Sequence, residues 1–73
     1  MAASDSNLSI QLNGAPRQIT HGSTVQDLVT DLELSAGRFA VEVNQQIVPK
    51  SQLAQHMLKT GDRVEIIGFV GGG

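Results

Sequence analysis

Alternating apolar and polar positions predict that the chain begins with a β-hairpin. Apolar residues occupy every second position from 8 to 12, which is the period of a strand with one buried face. Asn13-Gly14 follows directly and is a strong signal for a tight hairpin turn. The second strand is predicted over 15–20, at a sheet edge or with Pro16 as its first residue, because proline cannot donate a hydrogen bond to a strand ladder.

The apolar period then changes from two residues to 3.6, which predicts an amphipathic helix after the hairpin. Its apolar face consists of Val25, Leu28, Val29 and Leu32. Thr24 is the expected N-cap, with Asp27 in the first turn complementing the helix dipole, although Ser23 with Gln26 would serve in a shifted frame. Gly37 is expected to end this segment, because glycine adopts a left-handed conformation at little cost.

Three further strands and a short helical segment are predicted in the second half of the chain. Alternation predicts one strand over 39–44 and another over 46–49, joined by a turn at Asn44-Gln45. Residues 50–58 have apolar side chains at helix-like spacing but are too few for more than one or two turns. The last strand is predicted over 63–70.

This element order predicts an α+β domain in which one main helix lies across a mixed four- to five-stranded sheet. The face beneath the helix would be apolar, from Leu8, Ile10, Leu12, Val41, Val43, Val64 and Ile66. The opposite face would be polar, from Ser9, Gln11, Glu42 and Glu65. The domain is therefore assigned to residues 8–70, between a disordered segment over 1–7 and a flexible glycine tail over 71–73.

The composition argues against several functional classes. With 73 residues, the chain has room for one core and buries about 60% of its unfolded surface, too little for a two-domain enzyme or a buried cofactor. Cysteine is absent, which excludes a thiolate nucleophile, a disulfide and a cysteine-based metal site. The net charge of -2 and the scarcity of aromatic residues argue against nucleic-acid binding. No apolar run approaches the roughly 18 residues that span a bilayer, and no signal-peptide pattern is visible, so a soluble cytoplasmic protein is expected.

The titratable side chains form no recognisable catalytic set. His21 and His56 lack the carboxylate partners and spacing of a triad or metal site, and we interpret them as solvated. Asp27, Asp31 and Glu33 are interpreted as the solvated face of the helix rather than as an acid–base pair. We therefore expect no metal site and no catalytic residue, and the chain is not expected to be an enzyme.

The one reactive feature is the end of the chain, where a hydrophobic strand runs directly into Gly71-Gly72-Gly73. A glycine-only tail has no Cβ atoms, so it can thread a narrow active site and present the α-carboxylate of Gly73 there. A carboxylate is a poor electrophile, and it would need activation by another protein, most simply as an acyl-adenylate made from ATP. The alternative interpretation is an inert glycine tail.

Two apolar residues near the tail, Ile67 and Phe69, are candidates for partner docking. Strict alternation along the last strand turns both away from the core, where an apolar patch would form a docking surface. A β-bulge at Gly68 would instead turn Phe69 inward. The sequence leaves both arrangements open.

From Leu8 onward the pattern resembles the ubiquitin-like β-grasp fold and, within it, the ThiS-type sulfur carriers of thiamin biosynthesis. Besides the tail, the segments that carry the resemblance are Gly22-Ser23-Thr24-Val25-Gln26-Asp27-Leu28-Val29, Val43-Asn44-Gln45-Gln46-Ile47-Val48-Pro49 and Gly61-Asp62-Arg63-Val64-Glu65-Ile66. A terminal glycine pair alone is weak evidence, whereas its combination with these segments is fairly specific. Gly71 departs from the family pattern, in which an apolar or small residue commonly precedes the pair.

This resemblance implies a carrier whose Gly73 carboxylate is adenylated by an E1-like enzyme of the ThiF type and then converted to a thiocarboxylate. Gly71 and Gly72 would thread the partner active sites, and the partner enzyme would use ATP and magnesium. A thiazole synthase of the ThiG type would accept the sulfur, which a cysteine desulfurase or an equivalent donor would supply. The chain itself would bind no cofactor, nucleic acid or membrane, and would be a monomer when free.

Other functions remain open at this point. The small subunit of molybdopterin synthase resembles this fold and tail, but its tail usually follows a proline-containing segment. A carrier for transfer-RNA thiolation and an isopeptide-forming modifier are further possibilities within the same fold. A plain interaction module, in which the polar sheet face binds a partner and the tail is inert, belongs to a different class.

Overall fold

One α-helix packs on one face of a five-stranded mixed sheet in a computed structural model that describes residues 7–34 and 38–69 of the chain, without the Phe69 side chain. The elements, in chain order, are β1 (Asn7–Leu12), β2 (Ala15–Thr20), α1 (Val25–Asp31), β3 (Arg38–Val43), β4 (Gln46–Val48), a 3₁₀ helix (Lys50–Gln52) and β5 (Arg63–Phe69). Across the sheet, the strand order is β2-β1-β5-β3-β4. The predicted α+β class is confirmed.

The predicted hairpin is present, and its turn residues have the expected conformation. Strand β1 pairs antiparallel with β2, and the turn between them has φ of 50° at Asn13 and 86° at Gly14. Such turns favour asparagine and glycine because both residues tolerate positive φ. Strand β2 lies at the sheet edge, which explains how Pro16 is tolerated, although Ala15 rather than Pro16 is its first residue.

Strand β5 occupies the centre of the sheet. It pairs in parallel with β1 through Gln11↔Arg63 and Leu12↔Val64, and antiparallel with β3 from Val64 to Phe69. The chain therefore leaves the domain from its central strand.

The start of α1 is the one predicted from the sequence. Thr24 is the N-cap: its hydroxyl accepts from the Asp27 N–H at 3.2 Å, and the Asp27 carboxylate accepts from the Thr24 N–H at 2.9 Å. This reciprocal capping box satisfies two main-chain donors that the first turn would otherwise leave unpaired. The shifted frame based on Ser23 and Gln26 is wrong.

The end of α1 differs from the prediction. The helix ends at Asp31, and Glu33 takes a left-handed conformation with φ of 61°. The N–H groups of Glu33 and Leu34 donate to the carbonyls of Thr30 and Val29 at 3.0 and 3.1 Å, which is the hydrogen-bond pattern of a Schellman motif. Gly37 lies outside the described residues, but the helix stops well before it, because Leu34 folds back to pack against the core.

The core lies between α1 and the inner face of the sheet. Its buried members are Leu8, Ile10, Val25, Leu28, Val29, Phe39, Val41, Val43, Val48, Leu53, Leu58 and Val64. Of the predicted inner face, only Leu12 and Ile66 are partly rather than fully buried. Burying apolar surface at about 25 cal/mol per Å² makes this cluster the main source of the fold's stability.

The segment between β4 and β5 closes one side of the core. It contains only the single 3₁₀ turn, with Leu53 and Leu58 buried beneath it, whereas Met57 is 54% exposed. Ala54 is also exposed, so the helix-like spacing in the sequence did not identify which side chains are buried. Strand β4 ends at Val48, and Pro49 precedes the 3₁₀ turn as its N-cap residue.

Several predicted features fall outside the described residues. These are most of the 1–7 segment, residue 70 at the end of the last strand, and the glycine tail over 71–73. Asn7 belongs to β1, so the first strand begins one residue earlier than predicted. In the described ranges, the helices are all too short, or too polar, to cross a lipid bilayer.

Candidate functional site

The candidate site is the end of β5, which precedes the glycine tail in the sequence and is called here the root of the tail. Gly71, Gly72 and Gly73, the predicted tail and sulfur-carrying residue, lie outside the described residues. The last described residue is Phe69, whose main chain pairs with Arg38 on β3. The structure therefore shows how the strand that precedes the predicted tail is held.

Asn13 fixes the side of β5 that faces β1. Its N–H donates to the Val64 carbonyl, and its side-chain Oδ1 accepts from the Ile66 N–H, both at 2.9 Å. The positive φ at Asn13 turns the chain so that the side chain reaches β5 where strand β1 has ended. The sequence identified Asn13 only as a turn residue, because nothing local shows that its amide contacts a strand more than fifty residues away.

A second set of hydrogen bonds fixes the start of β5. Asn44 donates from Nδ2 to Oδ1 of Asp62 at 3.0 Å and accepts at Oδ1 from the Arg63 N–H at 3.0 Å. The other Asp62 oxygen accepts from the Lys59 N–H at 2.9 Å. These bonds join the turn after β3 to the turn before β5. The segments over 43–49 and 61–66, which both carry the family resemblance, are thus in contact. This contact stabilises the fold.

The strand register decides between the two arrangements considered for the end of β5. The pairing with β3 is one-to-one from Val43↔Val64 to Arg38↔Phe69, without an extra residue at Gly68. The β-bulge interpretation is therefore wrong. Ile67 is 45% exposed on the outer face, as docking requires, while the side chain of Phe69 lies outside the described part of the structure.

The outer face of the sheet is less polar than predicted. Ile47 on β4 is 66% exposed and was not identified from the sequence, and Ala40 on β3 pairs with Ile67. Glu42 pairs with Ile47 on one side and with Glu65 on the other, in the row next to Ala40 and Ile67. Exposed apolar side chains beside a carboxylate pair make this face suited to contact with another protein.

The histidines and the helix carboxylates are exposed or take part in contacts that stabilise the fold. His21 is exposed, and the carbonyl of half-buried His56 accepts from the Val25 N–H at 2.9 Å. Asp27 belongs to the capping box, and Asp31 forms an ion pair with Arg17 at 2.6 Å. Within residues 7–34 and 38–69, no group of three His, Cys, Asp or Glu side chains could hold a metal ion.

One recess beside the helix is lined in part by acidic side chains. This recess of about 330 Å³ lies between β2 and α1, and its lining includes Ser23, Asp27 and Asp31. Asp31 is paired with Arg17, and the Asp27 carboxylate accepts from the Thr24 N–H.

Comparison with known proteins identifies relatives over nearly the whole chain. The sequence model described as the ThiS family matches residues 10–73. "Sulfur carrier protein ThiS" of Escherichia coli is 35% identical over 66 residues, covering 90% of this chain and 100% of that protein. The crystal structure of a thiamine biosynthesis protein (ThiS) from Geobacter metallireducens is similar with a TM-score of 0.77 and 26% identity, covering 90% of this chain and 100% of that one.

A third relative is much longer. A protein named "Thiazole synthase" from Paramagnetospirillum magneticum is 39% identical over 66 residues, which is 90% of this chain. The matched region is 20% of that protein, so this chain spans about a fifth of its length.

Proposed function

We propose, since this chain belongs to the ThiS family of sulfur carriers in thiamin biosynthesis, that it holds sulfur as a thiocarboxylate on its C-terminal Gly73. The observation that carries the proposal is that the family match runs through the tail to residue 73. The chain is then a carrier on which partner enzymes act, rather than a catalyst.

The carboxylate must first be activated. A Gly73 carboxylate oxygen attacks the α-phosphorus of ATP, which forms an acyl-adenylate and releases pyrophosphate. The terminal sulfur of a persulfide on the donor then attacks the acyl carbon and displaces AMP, which gives an acyl disulfide. A thiol attacks the donor-side sulfur of this disulfide, so the thiocarboxylate is released and the thiol and the donor sulfur are left joined as a disulfide. A ThiF-type adenylating enzyme with magnesium would perform the first step, and a cysteine desulfurase or an equivalent donor would supply the sulfur.

The proposed acceptor is a thiazole synthase of the ThiG type. The name of the Paramagnetospirillum magneticum relative supports this choice, because a segment similar to this chain lies within a protein named for that activity. A thiocarboxylate sulfur is a better nucleophile than the carboxylate oxygen it replaces, so transfer to an electrophilic acceptor is chemically favourable.

Docking is assigned to the outer face next to the root of the tail. Ile67 and Phe69 are the proposed docking residues, and the exposure of Ile67 supports its role. Ile47 extends the same face onto β4, where it pairs opposite Glu42. An exposed apolar patch beside the reacting terminus gives each partner a place to bind before the tail enters its active site.

Reconstitution with each acceptor tests this function. The chain, a ThiF-type enzyme, ATP, magnesium and a sulfur donor are combined with a thiazole synthase, and thiazole formation is measured. The expected result is formation with the full chain and none with a folded variant that lacks Gly73. Activity with molybdopterin synthase but not with thiazole synthase would assign the carrier to that other pathway, and conjugation to lysines of other proteins would identify a modifier.

A further inference from the structure

The side of β5 that faces β1 loses its partner strand just before the tail. Main-chain groups along a strand point alternately to the two neighbouring strands. The Val64 carbonyl and the Ile66 N–H both bond to Asn13, so these alternate residues face the β1 side. Gly68 is the next residue in this series, and its N–H and carbonyl therefore face the same side.

No described residue pairs with β5 at that level on the β1 side. The parallel pairing ends at Leu12↔Val64, after which Asn13 and Gly14 turn the chain back into β2. The other side of β5 remains paired with β3 as far as Phe69. The described structure thus leaves a short open edge, which consists of the Ile66 carbonyl and the two main-chain groups of Gly68.

Gly68 also has open space on the face of the sheet beside this edge. A Cβ atom placed on it would have no heavy atom within 4 Å, and the residue is exposed. Glycine inside a strand commonly marks a place where another backbone approaches closely. An unpaired strand edge is a template for adding a strand from another chain.

We propose that this edge, defined as the main chain of Ile66 to Gly68 on the β1 side, accepts an extended segment of the activating enzyme as an added β-strand. The proposal rests on the proposed function. The edge lies five residues before Gly73, so a strand bound there holds the chain immediately before the reacting terminus. A tail made of glycines offers the activating enzyme no side chains to recognise. Main-chain hydrogen bonds to the residues just before the tail would give the enzyme contacts that the tail itself lacks.

Two substitutions at one position test the added strand. Gly68→Pro removes the N–H donor, and at an unpaired edge proline costs no ladder bond within the domain. Gly68→Ala keeps the donor and places its methyl group in open space. We expect the kcat/KM of adenylation to fall about 10-fold or more for Gly68→Pro and to stay within about 2-fold for Gly68→Ala, as for the loss of one binding hydrogen bond. Equal activity of two folded variants would overturn the proposal.

Hydrogen exchange of the unmodified chain gives a second reading that needs no variant. The Gly68 amide should exchange rapidly in the free protein and slowly once the activating enzyme is added without ATP. Unchanged exchange would overturn the proposal, as would protection that rises with the concentration of the free chain, which would identify a second copy as the occupant. Protection by thiazole synthase alone would also overturn it. This measurement detects binding in the absence of ATP. Its result therefore does not depend on whether the chain forms a thiocarboxylate, and the two proposals can fail independently.

Discussion

The Asn44 side chain donates a hydrogen bond to the Asp62 carboxylate at 3.0 Å and thereby joins two turns that are far apart in sequence. Asn44 has a φ of 53°, so the same residue shapes the β3–β4 turn and fixes the start of β5. This contact ties the start of the central strand to the turn after β3.

Removal of the Asn44 amide is predicted to weaken the fold through this contact. Asn44→Gly keeps the positive φ accessible but loses the bonds to Asp62 and Arg63, and should lower the free energy of unfolding by about 1–2 kcal/mol. Urea denaturation measures the change. In a double-mutant cycle with Asp62→Ala, the two losses should be less than additive, since both substitutions remove the same bond. Full additivity would show that the contact contributes nothing.

Asn13 is predicted to act through its side-chain oxygen. Asn13→Asp retains an acceptor for the Ile66 N–H and should stay within about 0.5 kcal/mol of the original stability. Asn13→Gly retains the turn but leaves that N–H without its acceptor, so the Ile66 amide should exchange with solvent faster. The comparison is read by amide hydrogen exchange and urea denaturation. Equal protection of the Ile66 amide in both variants would contradict the proposed role of the Asn13 side-chain oxygen as its acceptor.

The end of α1 offers a stabilising substitution. Glu33 holds a left-handed conformation that costs a non-glycine residue free energy, so Glu33→Gly should raise the free energy of unfolding by about 0.5–1 kcal/mol. Glu33→Ala is the control, because it removes the same carboxylate without relieving the backbone. A gain in stability with alanine as large as that with glycine would point to the charge instead.

Substitutions on the docking face are predicted to weaken partner binding without lowering the stability of the fold. Ile67→Ser changes a side chain that is already 45% exposed, and should raise KM for the carrier in adenylation about 10-fold while the thermal midpoint changes little. Met57→Ser is a matched control, since Met57 is also exposed but lies outside the β3–β5 outer face. Phe69→Ala should behave like Ile67→Ser. If adenylation and sulfur transfer were unchanged in these folded variants, this face would not be the docking surface.

The parts of the fold that depend on local pattern could be predicted from the sequence. The hairpin turn at Asn13-Gly14, the Thr24–Asp27 capping box and the alternation of β5 all depend on residues within a few positions of each other. The end of α1 could not be predicted in this way. Its left-handed residue is Glu33 and not a glycine, and it is stabilised by the packing of Leu34 on the core.

The sequence shows the residues proposed for the candidate site but not the contacts that hold β5 in place. The glycine tail and Ile67 were visible in the sequence. The exposure of Ile47, the opposition of Glu42 and Glu65 and the bond from Ile66 to Asn13 depend on strand order and register, which no local pattern specifies. The β-bulge at Gly68 was a reasonable alternative for the same reason, since only the register excludes it.

The most direct test of the central claim is the intact mass of the chain after incubation with a ThiF-type enzyme, ATP, magnesium and a sulfur donor. Sulfur carriage predicts a mass increase equal to the replacement of one oxygen by one sulfur, located by fragmentation to Gly73 and absent in the variant that lacks this residue. An unchanged mass, with the activating enzyme shown to adenylate a carrier of its own, would contradict the claim and favour an interaction module with an inert tail.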